Sequence, residues 1–253
     1  HHLEQWRVDD AGVGAGNPLA VVMSGPRNVR AEFAIDEYRL IVTSPCGDPA
    51  PANGVNWVGY GAVANCSVAS PVMLVPGEQR AVCKGWTGTG SVPAVGLGSA
   101  VAITVTEDSS IWWIWETNYY LGISIEGDGQ VMPASGWHLL GSAVALTAQN
   151  GAGGAFDRWE SDQVIPAGQA RYPALSVTLD RARTMQAVFL EDLDADGLPD
   201  AWETANYGSG YYYESYGPND DPDEDGSTNL QEYQNGTGPK DAGSVRYQLT
   251  VTG

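Results

Sequence analysis

The chain has 253 residues, 43% of them hydrophobic, enough apolar side chain for packed cores and too much for a wholly disordered polymer. Its net charge of −19 is localised: residues 191–243 hold 14 Asp/Glu against one Lys, a net of −13, while the other 200 residues hold 17 acids and 11 Lys/Arg, a net of −6. Such a distribution favours a cation site and argues against a nucleic-acid partner, whose phosphates need clustered Lys/Arg. No run reaches the roughly 18 apolar residues of a membrane span. No basic start with a following apolar run marks a signal peptide, so one was removed or the chain begins inside a longer protein. The 32 glycines and 15 prolines punctuate β-branched runs, a pattern of short strands joined by turns and hence an all-β fold.

In chain order, one arrangement recurs three times. A tryptophan strand (Leu3–Trp6, Cys83–Trp86, Phe156–Trp159) is followed by a Gly-rich loop. Next comes an alternating strand (Leu19–Met23, Val101–Val105, Leu175–Leu179), and then a closing strand that ends in Phe33, Trp115 or Phe189. The separations from tryptophan to final aromatic are 27, 29 and 30 residues, a period that signals an internal repeat. An opening strand starts five residues after each of the first two final aromatics, at Tyr38 and at Tyr120. The divisions expected are the C-terminal half of a repeat over 1–35, a second repeat over 36–116 and a third over 117–190. Each is a small antiparallel unit, sandwich-like or β-grasp-like. The repeated tryptophans read most simply as core anchors. Alternation sets Trp113 and Trp115 on one face and Trp112 on the other, leaving a face for an interface.

Three cysteines stand at Cys46, Cys66 and Cys83. A hairpin centred between Leu74 and Val75 would set Cys66 opposite Cys83, close enough for a disulfide in an oxidising compartment. Two buried thiols are the alternative, and Cys46 has no evident partner.

The "F-D-R-W" and "C-K-G-W" strands, with "V-T-L-D-R-A-R-T-M-Q-A-V-F" and its counterparts, resemble the divergent internalin B-type repeats of bacterial surface proteins over roughly residues 1–190. The resemblance implies a stalk or spacer and is nearly silent about activity. The middle unit departs from it, ending "I-W-W-I-W" where the family has "A-V-F".

Residues 192–203 and 221–232 carry the chemistry. Asp192, Asp194 and Asp196 stand at loop positions one, three and five, Gly197 at six permits the sharp turn, and Leu198 at seven offers its carbonyl. Asp200 is at nine, and Glu203 at twelve can close on an ion with both oxygens. The second loop repeats this with Asp221, Asp223, Asp225, Gly226, Ser227, Asn229 and Glu232. Two matches 29 residues apart predict two calcium ions. Magnesium, which prefers strict octahedral geometry and retained water, fits less well, and a solvated acidic loop is the plain alternative. Without an ion the carboxylates repel one another, so the segment is expected to loosen when calcium is removed.

An EF-hand needs a helix before each loop, and here a strand and a Gly-Pro segment precede them. Short helices follow instead, expected at about 199–206 and 228–234. The stretches "D-L-D-A-D-G-L-P-D-A-W-E" and "D-D-P-D-E-D-G-S-T-N-L-Q-E-Y-Q-N-G-T-G-P-K-D-A" resemble thrombospondin type 3-like calcium modules of bacterial extracellular proteins, over residues 191–243. That resemblance implies a stiffener or linker between surface domains, and it makes Asp241 a further ligand. Between the loops, Tyr211, Tyr212, Tyr213 and Tyr216 either form a contact surface for a glycan or partner chain or cover the gap between the loops.

Residues 244–253 include Arg246-Tyr247-Gln248-Leu249-Thr250-Val251, the pattern of an opening strand with no repeat behind it. Tyr247, Leu249 and Val251 would complete the half repeat of another copy, head to tail, by strand addition. The alternative is a fragment of a longer array, with His1 and His2 from a tag. Catalytic signatures are thin: His138 stands alone, and Gly12–Gly16 lacks the strand-then-helix context of a phosphate loop. The expectation is a non-enzymatic extracellular structural protein, or else an adhesin-type module binding glycans or surface partners through exposed Trp or Tyr.

Overall fold

The computed structural model describes residues 1–166, 168–208 and 216–244. Over the described residues the chain is all-β with two short helices, and it divides into two compact units, His1–Met73 with Ala81–Glu116, and Leu74–Arg80 with Thr117–Gly253.

The strands run in order as β1 (His2–Val8), β2 (Ala11–Gly12), β3 (Val29–Ala34), β4 (Glu37–Thr43), β5 (Gly54–Gly59), β6 (Val63–Ser67), β7 (Val72–Val75), β8 (Gln79–Thr89), β9 (Val95–Leu97), β10 (Ala100–Thr104) and β11 (Ser109–Glu126). They continue as β12 (Gly129–Met132), β13 (Gly136–Leu139), β14 (Ala143–Asn150), β15 (Gly154–Ser161), β16 (Ala174–Thr178) and β17 (Arg183–Glu191), before helices α1 (Asp200–Tyr207) and α2 (Asn229–Asn235). Both helices begin one residue later than the sequence suggests, within the ordinary fraying of helix ends.

In the second unit, β17 pairs antiparallel with β15 and parallel with Leu121–Glu126 of β11, whose preceding stretch Asn118–Leu121 pairs antiparallel with β13. A separate sheet runs β12-β14-β16. Strict alternation in β14 and β16 buries Val144, Leu146, Ala148, Leu175 and Val177. They meet Leu121, Phe156, Trp159, Met185, Ala187 and Phe189 from the other sheet. Each large side chain withdrawn from water here contributes about 1.5–3 kcal/mol. The parallel pairing of the opening and closing strands was not legible in the chain, where only antiparallel neighbours were expected.

The middle repeat of the first unit obeys the same scheme. Opening strand β4 pairs parallel with Ser109–Trp112 of β11 and antiparallel with β5, while β6 pairs with β10. Leu40, Val42, Cys66, Cys83, Trp86, Ile103, Ile111 and Trp113 form its core. Trp113 is fully buried and Trp112 is 61% exposed, as the alternation of the strand requires.

The expected Cys66–Cys83 hairpin does not form. The turn at Gly77 joins β7 to β8, whereas β6 pairs with β10, setting Cys66 opposite Val101. The strand carrying Cys66 thus belongs to a different sheet from the hairpin. All three cysteines are free thiols, and burial pushes each of their pKa values up.

The first half repeat is a three-stranded sheet in the order β2-β1-β3. None of residues 1–39 is buried. Leu19–Met23, the counterpart of β10 and β16, forms no strand, and its Val22 and Met23 are 85% and 67% exposed. The closing residues 245–253, with Tyr247, Leu249 and Val251, lie outside the described residues, as do Tyr211–Tyr213.

Candidate metal centre

The two acidic loops adopt one design twice. The residue at position four, Ala195 or Glu224, has a positive φ (59° and 60°), as has the glycine at position six, Gly197 or Gly226. These left-handed residues, natural for glycine and costly for the other two, curl the chain so that alternate carboxylates converge. One oxygen from each of Asp192, Asp194 and Asp196 lies within 4.8 Å of the others, and the same holds for Asp221, Asp223 and Asp225.

Backbone amides hold the carboxylates in place with matching bonds. Gly197 N–H donates to Asp192 Oδ2 at 3.0 Å, and Gly226 N–H to Asp221 Oδ2 at 2.9 Å. Leu198 N–H donates to Asp196 Oδ1 at 2.8 Å, and Ser227 N–H to Asp225 Oδ1 at 2.7 Å. Each helix then returns a glutamate from position twelve. Glu203 is 2% exposed and Glu232 is fully buried.

Among the described residues, eight buried carboxylate oxygens have no hydrogen-bond donor: Asp192 Oδ1, Asp221 Oδ1, Asp223 Oδ2, Asp225 Oδ2 and both oxygens of Glu203 and of Glu232. A buried, unpaired carboxylate costs several kcal/mol if it stays charged, so the sites are electrostatically incomplete as protein alone. Burial, reinforced by the neighbouring aspartates, pushes Glu203 up to about 8. Burial likewise pushes Glu232 up to about 7, with the charges of Asp223 and Asp225 adding to it. Asp192 and Asp196 are also raised, burial first. Hard oxygen donors carrying surplus negative charge match a divalent hard cation in donor type, number and charge.

Position nine departs from the pattern. Asp200 Oδ1 accepts from Leu193 N–H at 3.0 Å, closing the first loop. Asn229 is not turned toward the second cluster. Its Oδ1 accepts the Tyr207 hydroxyl at 2.5 Å, and its Nδ2 donates to the carbonyls of Tyr216 and Gly217. It therefore joins the two helices. Asp241 accepts from Gly243 N–H in a turn of its own.

Thr228 caps α2 in a reciprocal box with Gln231, and Gly236 ends the helix in the left-handed conformation, fixing the angle at which Glu232 enters. Trp202 packs edge-on against Tyr207 and Tyr233, and Tyr216 stacks on Tyr207 with ring centroids 4.7 Å apart. Tyr216 thus fills the space between the loops. Sequence reasoning missed how the module is seated on the third repeat. Tyr233 bonds Asp157, Arg171 donates to the Tyr233 carbonyl and lies over its ring, and Tyr172 donates to Asn235. The "F-D-R-W" motif contains Asp157 and was the available signal.

Residues 119–192 are matched by the family model of the divergent InlB B-repeat domain, which covers the third repeat and ends at Asp192, the first residue of the first acidic loop. No curated protein and no solved structure matches the chain. No helix among the described residues is long and apolar enough to cross a membrane.

Proposed function

We propose that this chain is a non-enzymatic structural segment of a bacterial surface protein, in which the acidic module takes up two calcium ions and stiffens the end of a β repeat. Copies join head to tail through the strand sequence at residues 246–251. The observation that carries the calcium reading is the set of eight buried carboxylate oxygens without donors, divided between two loops of matching backbone. The InlB-type repeat beside them supports a place at the cell surface or outside it. Asp192, Asp194, Asp196, Glu203 and the Leu198 carbonyl would hold one ion. Asp221, Asp223, Asp225, Glu232 and the Ser227 carbonyl would hold the other. Each ion would neutralise charges that otherwise repel, so α1 and α2 would be held against the repeat.

Titrating the chelated protein with calcium by calorimetry tests this. Two ions should bind per chain, with a rise in Tm that magnesium reproduces weakly. Absence of both heat and thermal shift would remove calcium from the account.

A second reading is favoured by one surface. Trp112 and Trp57 are 61% and 62% exposed, and Ile41 and Val55 are cross-strand neighbours on the same outer face of β5, β4 and β11. Flat exposed indoles suit stacking on sugar rings. Retention of the chain on a polysaccharide matrix, lost in Trp112→Ala with Tm unchanged, would support a glycan-binding module; equal retention of both proteins would count against it.

A further inference from the structure

The first repeat can be compared position by position with the complete third repeat. In the third, Phe156 lies opposite Phe189, a bulge follows, Trp159 lies opposite Ala187, and Ser161 opposite Met185. In the first, Leu3 lies opposite Phe33, a bulge follows, Trp6 lies opposite Ala31, and Val8 opposite Val29. Register and bulge are the same, so the two sheets are equivalent.

Their surroundings differ. Phe156, Trp159, Met185, Ala187 and Phe189 are all at least nine-tenths buried. Their counterparts Leu3, Trp6 and Ala31 are half-buried, and Val29 and Phe33 are 43% and 63% exposed. The opposite face of the first sheet is polar and complete, with Glu32 accepting from Gln5, Arg7 and Arg30. The sheet is thus amphipathic, with its apolar face incompletely covered. Among the described residues β3 pairs with β1 alone, whereas in both later repeats the closing strand also pairs with an opening strand.

The pairing of opening with closing strand has a fixed register in the two later repeats. Leu40 lies opposite Ser109, six residues before the final aromatic Trp115, and Leu121 lies opposite Arg183, six residues before Phe189. Both leucines are fully buried. Both stand in the pattern Tyr-x-Leu-x-Val/Ile: Tyr38-Arg39-Leu40-Ile41-Val42 and Tyr119-Tyr120-Leu121-Gly122-Ile123. The same pattern recurs at Tyr247-Gln248-Leu249-Thr250-Val251.

Resting on the assembly reading above, we infer that the free edge of β3 receives residues 247–251 of a second copy as a parallel strand, with Leu249 opposite Arg27 and Val251 opposite Val29. Edge addition satisfies the unpaired backbone groups of β3, and Leu249 and Val251 extend the apolar face beside Val29 and Ala31. Donor and acceptor surfaces differ, so the contact propagates as an open chain.

Sedimentation velocity on the calcium-loaded chain at high concentration is the first test, and a ladder of oligomers is expected. Leu249→Asp and Phe33→Asp should each weaken self-association about thirty-fold or more, with calcium stoichiometry and the Tm of the second unit unchanged as controls of folding. Register is read by mixing a Val29→Cys chain with a Val251→Cys chain, both carrying Cys46→Ser. A short bifunctional thiol reagent should join these, and Thr250→Cys, facing the other way, should not be joined. Calcium-binding monomers at every concentration overturn the inference while leaving the calcium reading in place. Oligomers indifferent to both aspartate substitutions and to the position of the cysteine overturn the strand pairing itself.

Discussion

The Tyr233 hydroxyl donates to Asp157 Oδ1 at 2.6 Å, so helix α2 behind the second acidic loop is tied to the bulge of β15 in the third repeat. Asp157 is 4% exposed and accepts from Arg158 as well. Burial, with the Asp157 bond adding to it, raises the Tyr233 phenol above its ordinary range, so it remains a donor at any physiological pH. The bulge has a structural use: it turns one extra side chain out of the alternation and toward the module.

Removing that donor should loosen the module from the repeat. Tyr233→Phe keeps the ring packing against Trp202 and leaves a buried carboxylate oxygen without its charge-assisted bond, at a cost of about 1.5–3 kcal/mol. Urea denaturation should show that loss as a lower midpoint. An unchanged midpoint would mean that the aromatic contacts alone seat the helix.

The two glutamates at position twelve should show effects of opposite sign with and without calcium. If the loops hold calcium as proposed, Glu203→Gln and Glu232→Gln each remove one charge from a site, so each variant should lose one of the two calorimetric binding steps and retain the other. In chelator the same substitutions remove a buried, unpaired charge, and the metal-free protein should gain about 1–3 kcal/mol. A variant that loses both steps would show the loops to be coupled through Tyr207 and Asn229.

The pH dependence follows from the same groups. Glu203 and Glu232 have folded-state values of about 8 and about 7, above the roughly 4.3 of an unfolded glutamate. A carboxyl raised in the folded state opposes folding when ionised, so the metal-free second unit should gain stability as pH falls from 9 through 7 toward 5. In the first unit the sign reverses. Asp108 is held below the usual carboxylate range by Arg39, Asp9 by the Asn28 amide and Arg27, and Asp36 by the chain amino group and His2. Their contribution is present above an unfolded value near 4 and is lost as pH falls through the folded values. Calorimetric scans in chelator should therefore show the second unit's transition rising between pH 9 and pH 5 while the first unit's holds, and the first unit's transition falling only below about pH 4. A second transition that does not rise between pH 9 and pH 5 would contradict the assignment of unpaired charge to the acidic loops.

The all-β fold, the repeat period and the two clusters were legible because each leaves a local trace. Alternation marks β14 and β16, a fixed spacing marks the tryptophan strands, and Asp-x-Asp-x-Asp-Gly marks each loop. What the sequence hid was non-local. Cys66 and Cys83 are equally far from the point between Leu74 and Val75, yet the turn falls at Gly77 and the strand of Cys66 takes β10 as its neighbour, and no pattern within the hairpin reports that choice. Asn229 occupies a ligand position by count, but a tyrosine twenty-two residues earlier claims its side chain. The docking of Tyr233 on Asp157 spans 76 residues and depends on a bulge that no residue type announces.

The same limit sets the last prediction. Trp6 and Trp159 are equivalent in sequence and in register, and composition alone would assign them equal importance. Trp159 is 2% exposed, packs on Phe156 and donates its indole N–H to the Tyr172 carbonyl at 3.0 Å. Trp6 is half-buried and donates to the Gly16 carbonyl at 3.0 Å, and among the described residues no second sheet pairs with its own and no core cluster includes it. Trp159→Ala should therefore cost about 3–5 kcal/mol, the range for deleting a buried aromatic. Trp6→Ala in the dilute chain should cost about 1–1.5 kcal/mol, in proportion to the smaller area it shields. The difference should narrow in samples concentrated enough to associate, where a neighbouring strand extends the sheet that carries Trp6. Urea titrations of both variants at low and high protein concentration measure this directly. A Trp6→Ala penalty that is already large in the dilute monomer would show that the first sheet is completed within its own chain.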